Sequence, residues 1–299
     1  MLRLTHGPVT SRPLSVRARD GYPLAADLFL PAGPPAAAAL VAPAMGVSRR
    51  YYAAYAAYLA RRGLAALTVD LRGIGGSRRG PLRGFEASLH GWGELDLAGA
   101  LDALAAELPG VPRVWVGHSA GGQLLGLLPD PPVAAALLVG AQCGHWRLWP
   151  SFPARLALAA FWWALLPASV ALLGYLPMRR LGQGEDVPAG VAREWASWGR
   201  RREYLMAYAG PRGGLGFARY AGQLRTYAVT DDRYAPPRSV EALAALYTAT
   251  SAEVRRVAPA DAGVPRIGHF GLFRPRLEGT LWDESASWLL RAARGDRAA

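Results

Sequence analysis

At 299 residues the chain can form one large α/β domain carrying an insertion, or two domains of average size. Hydrophobic residues at 52% against charged residues at 19% exclude a disordered or collagen-like chain. The net charge of +12 rests on arginine alone, with no lysine and no asparagine, and the arginines come in scattered pairs such as Arg61/Arg62 and Arg78/Arg79; GC-rich codons account for that pattern, and no nucleic-acid partner is expected.

Residues 1–13 lack the apolar run of a secretory signal, and a lone cysteine, Cys143, cannot close an intramolecular disulfide, so a reducing, cytoplasmic setting is expected. Two extended runs, 12–19 and 22–30, flank Asp20-Gly21, a dipeptide that tolerates positive φ, and together they predict an antiparallel hairpin. After the Pro-rich loop 31–35, short apolar runs at 37–45, 64–71, 113–116, 133–139, 224–229 and 253–258 alternate with helical patterns at 50–62, 89–108, 120–128, 239–248 and 281–294. That rhythm is the signature of βαβ units, and the near-continuous apolarity of the runs suits strands buried on both faces. The expected fold class is α/β, with a mostly parallel central sheet flanked by helices.

The interval 144–222 breaks the rhythm. It is far longer than an ordinary crossover and rich in Trp, Pro and Gly, which predicts a core of 1–143 and 223–299 with an inserted cap at 144–222. Within it, residues 156–178 carry no charge over 23 positions, long enough to span a bilayer. A crossing there would separate the two halves of the sheet, and Pro167 sits mid-run, so a hydrophobic cap of two short helices folded as a hairpin is expected, with peripheral contact to a membrane surface left open. Six tryptophans of the interval, Trp146, Trp149, Trp162, Trp163, Trp195 and Trp198, either line an acyl pocket or hold the cap together.

The motif that carries chemistry is Gly117-His118-Ser119-Ala120-Gly121, directly after an apolar run and directly before a helical pattern. Chance yields such a pentapeptide in roughly one chain in five of this composition. The strand-turn-helix setting is the stronger signal, because a turn that tight has no room for side chains two positions either side of the serine. A serine hydroxyl needs a base and the base needs an orienting acid. Both follow in order: Asp231 and Asp232 end a strand-like run, and His269 follows the last one. Of the other histidines, His6, His90 and His145 lack a post-strand position, and His118 points away from the reaction by adjoining the nucleophile. Cys143 reads as a small buried hydrophobe, and no spacing suggests a metal site or a cofactor loop, so none is expected.

With these residues in place the chain resembles the α/β-hydrolase superfamily, in its branch of small bacterial serine esterases, lipase-like enzymes and serine aminopeptidases. Asp70-Leu71-Arg72-Gly73-Ile74-Gly75-Gly76-Ser77 looks like the loop after a central strand in that branch, and Gly268-His269-Phe270-Gly271 is similarly typical. The resemblance implies Ser119 as nucleophile, His269 as base, and an insertion between the sixth and seventh strands that caps the pocket. Asp232, four residues before Pro236, matches the family spacing for the acid better than Asp231. The family's usual His-Gly after the third strand is Pro43-Ala44-Met45-Gly46 here; by position the N–H groups of Met45 and Ala120 would form the oxyanion hole. Asp70 and Arg72 read as a salt-bridged turn tying their loop to the elbow. The function implied is hydrolysis of a carboxylic ester or related acyl bond in a lipophilic small molecule, with a prolyl-type aminopeptidase, or a non-catalytic binding protein working through the Trp-rich cap, as alternatives.

Overall fold

The structure is a computed structural model and describes residues 9–296; residues 1–8, with His6 and most of the segment weighed for a signal, lie outside the described residues. Eight strands form the main sheet: β1 (Thr10–Arg17), β2 (Pro23–Leu30), β3 (Ala37–Ala42), β4 (Leu64–Val69), β5 (Arg113–His118), β6 (Ala135–Val139), β9 (Gln223–Val229) and β10 (Ala252–Val257). Between β6 and β9, β7 (Tyr175–Leu176) and β8 (Val187–Pro188) make a small separate ribbon. The main sheet runs β1-β2-β4-β3-β5-β6-β9-β10, antiparallel for β1, β2 and β4 and parallel from β4 onward.

The short apolar runs are the central strands because each buries both faces. Along β5, Trp115 joins the core beneath the helices 89–107 and Ala120–Leu124, while Val114 and Val116 join the opposite core beneath Ala53–Arg61 and Asp283–Ala293. A period of two thus divides one sheet between two cores. The hairpin turn is longer than the Asp20-Gly21 dipeptide suggested. Arg17 pairs with Pro23, leaving a five-residue loop closed by Ala18 N–H to the Tyr22 carbonyl at 2.9 Å, with Gly21 at φ +86°. Asp20 is drawn out of a tight turn by Arg72, whose guanidinium donates to both its carboxylate oxygens at 2.7 and 2.8 Å.

From 140 to 222 the chain leaves the main sheet. The apolar run here is one helix, Phe152–Leu173, and not a hairpin of two, and it is long and apolar enough to cross a membrane. Pro167 does not break it because the turn before the proline, Phe161–Leu165, widens to π geometry. The proline ring would otherwise press on the carbonyl of Trp163 four residues back, and its missing N–H leaves a gap in the ladder that the wide turn accommodates. One side of the helix packs inward through Trp162, Leu166 and Val170. It packs tightly on the helix Ala189–Arg200, where a Cβ at Gly199 would lie 2.4 Å from the Trp162 ring; only glycine fits there.

Candidate active site

The helix Ala120–Leu124 begins one residue after β5 ends, so the single residue between them makes the whole turn. That residue is Ser119, held at φ 51°, ψ −115°. Such a backbone costs a non-glycine residue on the order of 1–3 kcal/mol and lifts its side chain above the sheet. The flanking glycines are required by space: a Cβ at Gly121 would sit 2.2 Å from the Ala42 carbonyl oxygen, and one at Gly117 would sit 2.5 Å from the Cα of Gly122. The contact at Gly121 brings the end of β3, and with it Pro43-Ala44-Met45, against the serine.

His269 comes from the loop after β10, and Asp232 from the loop after β9. The Asp232 Oδ2 lies 2.7 Å from His269 Nδ1, with both side chains nearly inaccessible to water. Asp232 Oδ1 accepts from the N–H groups of Tyr234 and Ala235 at 2.8 and 2.9 Å, which fixes the carboxylate before it meets the ring. Asp231 faces elsewhere, accepting from the N–H groups of Ile267 and Gly268 at 3.0 and 2.8 Å. Of two adjacent aspartates, one orients the imidazole and the other clamps the loop that carries it.

Ser119 and His269 line one cavity of about 410 Å³. The serine hydroxyl forms no hydrogen bond to the imidazole; the two groups share a wall of the cavity. Met45 lines the same wall. Among the described residues no acceptor takes the N–H of Met45 or of Ala120, whereas the N–H of Ala44 donates to the Tyr52 hydroxyl at 2.9 Å.

A buried chain of polar groups that the sequence did not indicate runs behind this wall. The Tyr52 hydroxyl donates to His118 Nδ1 at 2.8 Å, and His118 Nε2 donates to the main-chain carbonyl of His269 at 2.9 Å. A carbonyl can only accept, so one tautomer of His118 satisfies both contacts. Complete burial, with the His269 ring beside it, holds the His118 pKa well below 6.5 and keeps the ring neutral. His118 therefore does point out of the cavity, yet it touches the backbone of His269. Nothing in the sequence around Tyr52 marks it for this role.

Asp70 and Arg72 do not tie their loop to the elbow. Asp70 pairs with Arg49 and accepts from the main-chain N–H groups of Arg49 and Gly76, while Arg72 pairs with Asp96 and Asp20. The two side chains share no partner: Asp70 is held by Arg49, and Arg72 by Asp20 and Asp96. Burial pushes the Asp96 carboxyl up to about 6 even beside that arginine. Burial likewise pushes the Cys143 thiol up to about 12, so it stays protonated and inert.

The tryptophans divide by position. Trp149, Trp162 and Trp195 line the cavity, Trp198 is buried against Tyr204 and Tyr208, and half-buried Trp146 meets exposed Trp163 edge to face outside the cavity. Met178, Leu181, Leu158 and Phe161 complete an apolar wall, and the remaining polar lining is Gln142, Gln183 and Tyr234.

A family model described as the alpha/beta hydrolase family matches residues 17–278. The chain belongs to that family. Solved structures agree on the fold of this alpha/beta hydrolase. It is similar to a soluble variant of monoglyceride lipase from Saccharomyces cerevisiae in complex with a substrate analog, at 13% identity and a TM-score of 0.70 over 97% of each chain. It is also similar to a highly thermostable carboxyl esterase from Bacillus coagulans in complex with glycerol, at 14% identity and TM-score 0.64, over 96% of this chain and 98% of that one. The esterase domain of a Rhodothermus marinus protein aligns at 18% identity and TM-score 0.56, over 94% and 99%. No curated protein matches in sequence.

Proposed function

We propose that this alpha/beta hydrolase is a serine esterase that cleaves carboxylic esters of lipophilic substrates through an acyl-Ser119 intermediate. The observation that carries the reading is the Asp232–His269 pair opening onto the same apolar cavity as the strained Ser119. His269 takes the Ser119 proton as Oγ bonds to the carbonyl carbon, and returns it to the alcohol oxygen as the ester bond breaks. Water, deprotonated by the same imidazole, then releases the acid. Asp232 keeps Nδ1–H pinned so that Nε2 carries the lone pair, and the free N–H groups of Met45 and Ala120 receive the oxyanion, each worth about 10²-fold to 10³-fold in rate.

The segment 144–222 acts as a cap, supplying Leu158, Phe161, Trp162, Met178, Leu181 and Trp195 to the pocket wall. Among the described residues that wall holds no carboxylate to receive a substrate ammonium group, which favours an ester over the free N-terminus of a peptide. Turnover of a series of nitrophenyl esters from acetyl to dodecanoyl tests the reading. The expected result is a kcat/KM that rises with acyl length until the cavity is filled; a flat or falling series would remove the lipophilic substrate.

A further inference from the structure

The helix Phe152–Leu173 breaks the rule that a helix on a protein surface turns polar residues to water. Phe152, Leu165 and Leu172 are 74%, 61% and 75% exposed, Leu156 and Trp163 are exposed beside them, and the helix's other exposed positions are alanines and Pro153; Ser169, half-buried, turns its hydroxyl onto the Leu165 carbonyl at 2.8 Å. No charged side chain occurs from residue 156 to 178. The outward face is thus as apolar as the inward one that roofs the Ser119 cavity.

Arginines surround this face. Arg83 donates to the Leu172 carbonyl at 3.1 Å at one end, and Arg155 to the Trp149 carbonyl at 2.7 Å at the other. Midway, Arg200 donates to the Trp162 carbonyl at 2.9 Å with its guanidinium 5.9 Å from the Trp163 ring, and Arg147 lies 5.0 Å from the ring of Trp146, which stacks on Trp163. Their bonds go to main-chain carbonyls and indole rings, and none of the four forms an ion pair among the described residues.

We propose that this face docks on an anionic lipid surface, with the helix lying in the plane of the interface, its leucines and Phe152 among the acyl chains, and the arginine collar on the phosphate headgroups. An apolar face with a basic rim and indole rings between is the pattern of an interfacial helix. It cannot span, because β6 before it and β9 after it pair in one sheet, which keeps both helix ends on the same side. A second copy fits less well, since a two-fold contact would lay one basic collar against the other. The docking deepens the lipophilic-substrate reading by setting the cavity roof on the lipid, but it is read by binding and not by Ser119 chemistry.

The test is flotation of the full chain with vesicles of phosphatidylcholine alone and of phosphatidylcholine with about one third phosphatidylglycerol. The comparison protein carries Leu156→Gln, Leu165→Gln and Leu172→Gln, three exposed positions outside the cavity wall, where glutamine keeps helix propensity. Wild type is expected to float with the phosphatidylglycerol vesicles, and the triple variant to bind about tenfold or more weakly while hydrolysing a short soluble ester at the wild-type rate. Absence of wild-type binding overturns the proposal. Equal binding by the triple variant also overturns it, assigning the attraction to net positive charge elsewhere, and so does a wild-type dimer in sedimentation velocity that the triple variant dissociates. Loss of esterase activity in both proteins with binding intact would strike the esterase reading alone.

Discussion

His118 Nε2 stands 2.9 Å from the main-chain carbonyl of His269, while its other ring nitrogen stands 2.8 Å from the Tyr52 hydroxyl that holds the Ala44 N–H. One buried neutral imidazole thereby couples the loop before Met45 to the loop that carries the proposed base. The coupling depends on His118 remaining uncharged, since a protonated Nδ1 has no lone pair left to accept from the Tyr52 hydroxyl.

That dependence sets a pH effect on stability. Folded His118 is held well below 6.5 by burial and by the neighbouring His269 ring, whereas the unfolded side chain titrates near 6.5. As pH falls below about 6.5 the unfolded chain takes up a proton that the folded chain refuses, so stability present above that pH is lost on acidification. Between about pH 7.5 and about pH 5.5 the loss due to this residue is on the order of 1 kcal/mol. Urea unfolding at the two pH values should show that much less acid destabilisation in His118→Gln than in wild type; equal pH dependence would mean that His118 is protonated in the fold.

Ser119 stores backbone strain that glycine would not feel. Ser119→Gly should therefore be more stable than Ser119→Ala by about 1 kcal/mol, the opposite of the order inside a helix, while both abolish turnover. Thermal melts of the two variants decide it, and a less stable glycine variant would contradict the strained turn.

The adjacent aspartates should separate cleanly. Asp232→Asn leaves the ring without its charged partner and is expected to lower kcat about 10³-fold to 10⁴-fold with little change in KM. Asp231→Asn keeps one carbonyl oxygen to accept from the loop N–H groups, and is expected to cost about 1–2 kcal/mol of stability and about tenfold or less in kcat. Steady-state kinetics with equilibrium unfolding on both variants would expose an exchange of the two roles.

The sheet was legible because Ala37–Ala42, Leu64–Val69 and Ala135–Val139 are apolar on both faces, a demand that strands buried between two helix layers impose on sequence directly. The turn at Ser119 was legible because Gly117 and Gly121 are there for want of space, not for flexibility. Other features depend on partners distant in sequence. Pro167 looks like a helix breaker until the π turn before it is seen, Asp70 looks like the partner of Arg72 until Arg49 reaches it, and the Tyr52–His118–His269 chain joins residues 66 and 151 positions apart. No local pattern records such pairings.

The central claim is that Ser119 is a nucleophile made reactive by His269. A fluorophosphonate probe forms a covalent phosphonyl ester only with an activated serine, and its site can be mapped by peptide mass spectrometry. Stoichiometric modification of the wild type at Ser119, absent in Ser119→Ala and reduced by about 10³-fold in rate in His269→Ala, is the predicted result. A folded wild type that stays unmodified, or one modified at a serine other than Ser119, would contradict it.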